Sequence, residues 1–163
     1  MSEEVQWLAP VTKRQFERAA AREGALDREH SVLGRTEQSY LRHLLFGKGK
    51  QGKCSLCNRS LPVGLLVAAH LKQRSECTRR ERLDAENIVA PMCVLGCDAL
   101  YERGLVAVDQ DGFIRSSNAQ SCPTLNAVLR SLKNRKCSFW DKTRSGYFQW
   151  HLTRRFLGTN SGF

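Results

Sequence analysis

The sequence predicts a mixed α+β fold, with helices at both ends and a centre of short strands held by a metal. Apolar residues recur at helical spacing in 36–46, which indicates an amphipathic helix. A continuous apolar run over 65–69 ends in His70, as expected for a buried strand that emerges at a site. Two close pairs of cysteines, at 54–57 and 93–97, bracket that strand. The chemistry of the chain is therefore expected in the segment that follows residue 50.

The N-terminal part is predicted to be a helical extension. Residues 12–22 are rich in alanine, Thr12 can cap them, and Gly24 follows as a stop signal. After the helix at 36–46, the glycines and lysines of 47–52 form a flexible break. We therefore divide the chain into an extension at 1–49 and a chemical domain at 50–163, which ends in a basic helical segment.

The rest of the chemical domain alternates short strands, turns and helices. The charged stretch 72–86 is expected to be a solvated loop or a short helix, and Ile88 resumes an apolar strand. Residues 105–108 and 113–115 flank a turn of the Asp-Gln-Asp-Gly type, which predicts a hairpin. Helices are expected after Pro123 and around 146–156.

The charge of the chain indicates a polyanionic partner. The net charge is +10, and residues 106–163 hold nine basic side chains against three acidic ones. A basic excess attracts nucleic acid by counterion release, although a merely soluble basic surface is the alternative. No apolar run is long enough to cross a bilayer, and the acidic, polar N-terminus lacks the layout of a secretory signal. A cytoplasmic location without membrane contact is expected.

Seven cysteines are many for a chain of 163 residues in a reducing compartment. There, clustered cysteines are better explained as metal ligands than as disulfides. Two pairs of thiolates can close a tetrahedral structural zinc site, with buried free thiols as the alternative. The expected ligands are Cys54, Cys57, Cys93 and Cys97, with Cys137 as a substitute. Cys77 and Cys122 lie outside any clean ligand spacing.

Residues 50–115 resemble the HNH endonuclease family, and more closely its restriction-enzyme-like branch. Members of that branch carry an AAHI strand, then an N-[GIV]-[LV] segment, then an H/C-D-x-x-[FY]-[DE]-R-G segment. The corresponding stretches here are Ala68-Ala69-His70-Leu71, Asn87-Ile88-Val89 and Cys97-Asp98-Ala99-Leu100-Tyr101-Glu102-Arg103-Gly104. The aromatic-rich stretch 147–151 ends in a histidine, as similar stretches do in many members. The resemblance implies an α+β fold with a zinc-stabilised ββα-metal core.

The resemblance also implies an activity, namely metal-dependent hydrolysis of phosphodiester bonds in double-stranded DNA. His70 takes the position of the general base, because a neutral imidazole can accept a proton from water near working pH. Asn87 takes the position of the residue that orients this imidazole. A catalytic Mg²⁺ or Mn²⁺ ion stabilises the developing charge. Restriction of foreign DNA is the biological setting by analogy, and cutting both strands would favour a homodimer.

The chain departs from the family pattern at two metal-ligand positions. Ala69 stands where many members have an Asp or His, and Cys97 stands at the final His of the motif. A thiolate is soft and favours zinc over magnesium. Asp98 is therefore the first candidate ligand for the catalytic ion, with Glu102 and His151 as weaker ones. Alternatively, Asp98 caps a helix and Asn87 caps a turn.

Two other functions stay open on the sequence. A non-catalytic zinc module that binds nucleic acid is the first, and Ala69 in place of a metal ligand favours it. A zinc-stapled protein-interaction domain is the second, and DNA binding that is absent or insensitive to salt would distinguish it.

Overall fold

The computed structural model describes residues 25–117 and 122–158. The helix predicted at 12–22 lies outside the described residues. From Gln38 onward the chain forms one compact unit. No helix in the described part of the chain combines the length and apolar character needed to cross a membrane.

The first helix ends where the sequence predicts, at Phe46, but begins earlier, at Ala25. Good helix formers such as leucine, glutamate and arginine in 25–33 outweigh Gly34, which costs only about 1 kcal/mol in a helix. The predicted helices near the C-terminus are confirmed, the first beginning at Pro123, whose ring presets φ for a helix start. The helices are α1 (Ala25–Phe46), α2 (Arg79–Leu83), α3 (Ala85–Ile88), α4 (Cys97–Glu102), α5 (Pro123–Leu132) and α6 (Ser145–Arg154), with single 3₁₀ turns at Val63–Leu65 and Arg74–Glu76.

The strands of the described residues form three separate antiparallel pairs. The predicted hairpin around 109–112 is confirmed, with Gly112 at φ +82° in its turn. The Asp109 carboxylate accepts hydrogen bonds from the backbone N–H groups of Asp111 and Phe113, which closes that turn. The pairs are β1 (Gln51–Lys53) with β2 (Ser60–Pro62), β3 (Leu66–His70) with β4 (Val89–Cys93), and β5 (Val106–Val108) with β6 (Ile114–Ser116).

The β3–β4 hairpin and helix α4 form the centre of the molecule. In this hairpin His70 pairs with Val89 at one end and Leu66 pairs with Cys93 at the other. The predicted strand beginning at Ile88 starts one residue later, because the short helix α3 still includes Ile88. The Tyr101 hydroxyl of α4 donates to the backbone oxygen of Leu71, just beyond β3, at 2.9 Å. This bond holds the helix against the His70 end of the hairpin.

The core surrounds this hairpin. Its larger part joins the hairpin and α4 to β5, β6, α5 and α6, and Phe148 of α6 is fully buried there. A smaller part lies under α1, where Leu41 packs with Ala68 and Val89. Arg42 of α1 also donates to the backbone oxygens of Val63, at 2.9 Å, and Leu66. The mixed α+β fold class is thus confirmed, with small sheets only.

Candidate metal centre and adjoining cavity

Four buried cysteines converge on one point. The ligand atoms of this group all lie within 4.8 Å of one another, and the Cys57 and Cys93 sulfurs are 3.9 Å apart. In a tetrahedral site with Zn–S bonds of about 2.3 Å, sulfurs are separated by about 3.8 Å. The spacing therefore fits a tetrahedral metal ion with four thiolate ligands. The group, which we call the cysteine cluster, comprises Cys54, Cys57, Cys93 and Cys97.

The first pair of the cluster lies in the turn between β1 and β2. Cys54 follows β1, and Asn58 adopts a left-handed conformation (φ 58°) that folds the chain back directly after Cys57. The backbone N–H of Ser55 donates to the Pro91 oxygen at 2.8 Å. This bond joins the turn to β4, so the first pair lies beside the second.

The second pair joins β4 to α4. Cys93 is the last residue of β4 and Cys97 is the first of α4. Between them Gly96 has φ +141°, a conformation that residues with a side chain rarely adopt. The cluster therefore fixes where α4 begins relative to the hairpin.

Hydrogen bonds within the cluster favour one thiolate before any metal binds. The side-chain bond between Cys54 and Cys97 lowers the pKa of the Cys54 thiol and raises that of Cys97. Burial raises the pKa of Cys57. Metal binding replaces thiol protons, so a metal here releases protons and stabilises the four buried sulfurs as thiolates.

The remaining cysteines do not belong to the cluster. Cys137 is buried in the same core, and burial raises the pKa of its thiol to about 11. Because it is not a member of the four-sulfur group, its predicted role as a substitute ligand is wrong. Cys77 lies in the smaller core with its thiol 3.3 Å from the Gln73 oxygen, and Cys122 is exposed.

A cavity of about 430 Å³ opens at the His70 end of the hairpin. Its wall brings together side chains from β3, α4 and α6 that are far apart in the sequence. Two arginines also line it, namely Arg74, which the sequence did not single out, and Arg155, which belongs to the basic C-terminal segment. The residues expected from the sequence that lie in this wall are His70, Asp98, Glu102 and His151.

Helix α4 connects the cysteine cluster to the cavity. Its first residue, Cys97, belongs to the cluster, while Asp98 and Glu102 lie one turn apart in the cavity wall. The N-cap of this helix is Gly96, so the alternative that Asp98 caps it is wrong. Burial, and then the charge of Glu102, raises the pKa of the Asp98 carboxyl. A cation bound beside these two carboxylates would relieve that repulsion.

His151 enters the cavity wall as a neutral imidazole. Burial lowers its pKa to about 4, and its ring stacks on Tyr101 with centroids 3.7 Å apart. Nε2 lies 2.8 Å from the backbone oxygen of Tyr101, which can only accept, so Nε2 carries the proton. Nδ1 is buried and has no hydrogen-bond partner among the described residues. Its free lone pair suits a metal ligand, since ligating histidines commonly donate the other N–H to a carbonyl.

Asn87 lies in the short helix α3, which the C-terminal segment contacts. Its amide nitrogen donates to Asp84 Oδ1 at 2.7 Å, and the Thr143 hydroxyl oxygen lies 3.3 Å from its amide oxygen. Asp84 accepts a second bond, from the Tyr147 hydroxyl, at 2.7 Å. Asn87 is not among the residues that line the cavity, so its role in orienting His70 stays a prediction. No sequence signal pointed to a contact between Asp84 and Tyr147, because the two are more than sixty residues apart in the chain.

The cavity does not hold a ready-made set of metal ligands. Within 25–117 and 122–158, the cysteine cluster is the one group of three or more metal-binding side chains that converge.

No protein-family model matches the chain, and no curated protein matches it. Its function is therefore inferred from its own residues and their arrangement.

Proposed function

We propose that this protein is a metal-dependent DNA endonuclease with a ββα-metal core of the HNH kind, in which His70 is the general base. The observation that carries the proposal is the shared cavity of His70, at the end of β3, and Asp98, on α4. His70 stands at the base position that the resemblance implies, and Asp98 directly follows Cys97, which stands at a ligand position of the motif. Along the chain the first cysteine pair, the hairpin, the second pair and α4 follow in the order expected from the sequence.

The proposed reaction is an in-line hydrolysis of a phosphodiester bond. His70 accepts a proton from a water molecule as that water attacks phosphorus, and the bond to the 3′ oxygen breaks, leaving a 5′ phosphate. When bound, Mg²⁺ or Mn²⁺ would supply positive charge that stabilises the phosphate and the departing 3′ oxygen. Asp98 is the first candidate to hold this ion, with Glu102 and His151 beside it.

Zinc in the cysteine cluster has a structural part in this proposal. Four thiolates leave no open coordination position, so such an ion does not activate water. Because Cys97 and Asp98 are neighbours on α4, the zinc site fixes the carboxylate in the cavity wall. Zinc rather than a harder ion is expected, since thiolate is a soft ligand.

Double-stranded DNA is the proposed substrate, in a cytoplasmic setting such as restriction of foreign DNA. The C-terminal segment exposes several cations, while its aromatic rings Phe139, Trp140 and Tyr147 pack against the core. Exposed cations of this kind contact the DNA backbone and make binding dependent on salt. If both strands are cut, a homodimer is expected. The exposed cations that we assign to this contact are Lys133, Arg135, Lys136 and Lys142.

Plasmid cleavage with Mg²⁺ or Mn²⁺ tests the proposal, with His70→Ala compared against His43→Ala. His43 is an exposed histidine of α1 that does not line the cavity, so it is the matched control. We expect His70→Ala to lower the cleavage rate by about 10²–10⁴-fold, the usual contribution of a general base. His43→Ala should cleave like the native chain. Equal rates for the two variants would remove His70 from the mechanism.

A non-catalytic zinc module that binds nucleic acid is the second candidate. Ala69 at a ligand position, and a cavity without three converging ligands among the described residues, favour it. Under this alternative, neither the native chain nor His70→Ala cleaves any DNA, yet both bind duplex DNA with a steep dependence on salt.

A further inference from the structure

Two cations of the cavity wall, Arg74 and Arg155, have no part in the mechanism above. Arg155 is the C-cap residue of α6, is exposed, and lines the same cavity as His70 and Asp98. Its neighbour Arg154 is also exposed, at the same end of α6, but does not line the cavity. The two arginines therefore share their charge and their place on α6, and they differ in access to the cavity.

The main chain at Arg155 is held by close contacts. Its N–H donates to the His151 oxygen at 2.9 Å, and the Leu157 N–H donates to the Gly104 oxygen at 2.8 Å. A Cβ atom at Gly104 would lie 2.0 Å from the Arg155 backbone oxygen, and Gly104 has φ +72°. Only glycine permits this approach, so the glycine after α4 holds the start of the Arg155 side chain at the cavity.

The side chain of Arg155 has few contacts to explain its position. Its Nη2 atom lies 3.4 Å from the Glu102 backbone oxygen, longer than a good hydrogen bond. Its charge contributes, after burial, to lowering the pKa of His151. A cation at a helix C-terminus also interacts favourably with the helix dipole, but Arg154 has that benefit equally.

We propose that Arg155 binds the phosphate that is cleaved, as a positively charged clamp at the cavity rim. The inference rests on the proposed function. A guanidinium offers two parallel donors that match two phosphate oxygens, and its charge survives at any working pH. The cavity also holds the carboxylates of Asp98 and Glu102, which repel a phosphate. Arg155 and the bound divalent ion together offset that repulsion and the charge added in the transition state.

Single-turnover cleavage tests the clamp in the full chain. We expect Arg155→Ala to lower the rate at saturating protein by about 10²-fold, as for loss of one transition-state donor. Arg154→Ala should stay within about twofold of the native rate, and Arg155→Lys should fall between them because lysine keeps charge without the fork. Zinc content and unfolding midpoint should be the same in all variants. Equal effects of Arg155→Ala and Arg154→Ala would overturn the inference.

A binding measurement separates this inference from the nuclease proposal. Thymidine 3′,5′-bisphosphate with Ca²⁺, followed by calorimetry, probes the phosphate site without cleavage. We expect Arg155→Ala to weaken binding by about tenfold, the loss of one charged hydrogen-bonding contact. Arg154→Ala should change binding by less than about twofold. If the native chain cleaves no DNA, the nuclease proposal fails and this measurement alone decides the phosphate site. Absence of bisphosphate binding to the native chain, or equal losses of affinity in both variants, would overturn the inference that Arg155 binds the phosphate.

Discussion

The cysteine cluster and the cavity differ in how their residues are brought together. The cluster is buried and assembled from two pairs with short spacing, each in a single turn of the chain. The cavity draws its side chains from α1, β3, the 3₁₀ turn at Arg74–Glu76, α4 and α6, and Glu102 and Arg155 there are exposed. Short spacing places ligands reliably, whereas the composition of the cavity depends on how α4 and α6 pack. Helix α4 begins in the cluster and extends into the cavity wall. Loss of a cluster cysteine is therefore expected to disturb the cavity, whereas substitution of an exposed cavity residue is not expected to disturb the cluster.

Loss of a cluster ligand should have the largest effect. Cys97→Ser removes one thiolate, and structural zinc sites contribute about 10–16 kcal/mol of apparent binding free energy. We expect the variant to lose its zinc, its cooperative thermal unfolding and any cleavage activity. Elemental analysis and circular dichroism measure the first two. Cys122→Ser, at an exposed cysteine outside the cluster, is the control and should behave like the native chain. A Cys97→Ser chain with full zinc content and native unfolding would contradict the structural role.

Acid should lower the free energy of unfolding through protonation of His151 in the cavity wall. This effect should be smaller than that of losing a cluster ligand. The pKa of His151 is about 4 in the folded chain against 6.5 for an ordinary histidine, so the unfolded chain binds the proton more readily. Stability is therefore fully present above pH 6.5 and falls as the pH drops towards 4, by about 3 kcal/mol.

His151→Phe isolates this contribution, because it keeps an aromatic ring beside Tyr101 and removes the titrating group. Urea unfolding at pH 7 and pH 4 should show the native chain losing about 3 kcal/mol more than the variant. Any loss of zinc in acid affects both chains alike and cancels in the difference. The same pH dependence in both would show that His151 is not held neutral by burial.

The smallest effect on stability is expected from the hydrogen bond by which the C-terminal segment contacts the chain next to α3. Tyr147→Phe deletes the hydroxyl that donates to Asp84 and should lower the free energy of unfolding by about 1 kcal/mol. Denaturant unfolding measures this difference, with Tyr40→Phe, at an exposed tyrosine of α1, as the control. If Tyr147→Phe lowers the free energy of unfolding no more than the control does, this hydrogen bond does not stabilise the fold.

The elements that are set by short-range patterns in the sequence were predicted correctly. The apolar run before His70, the turn that ends at Gly112 and the helix that begins at Pro123 were all predicted where the structure has them. The early start of α1 and the helical turn at α3 were missed. Both lie where weak helix propensity decides between helix and another conformation, so spacing alone gave no clear signal.

The sequence by itself determined which four cysteines converge, because the members of each pair lie within five consecutive residues and a single turn brings them together. Only the tertiary structure decided which charged groups share the cavity. It excluded Asp98 as a helix cap and placed His151 beside α4, and it gave Arg155 rather than Arg154 access to the cavity. The physical reason is that neighbours on a helix point in different directions, and long-range packing alone sets which of them faces a distant strand.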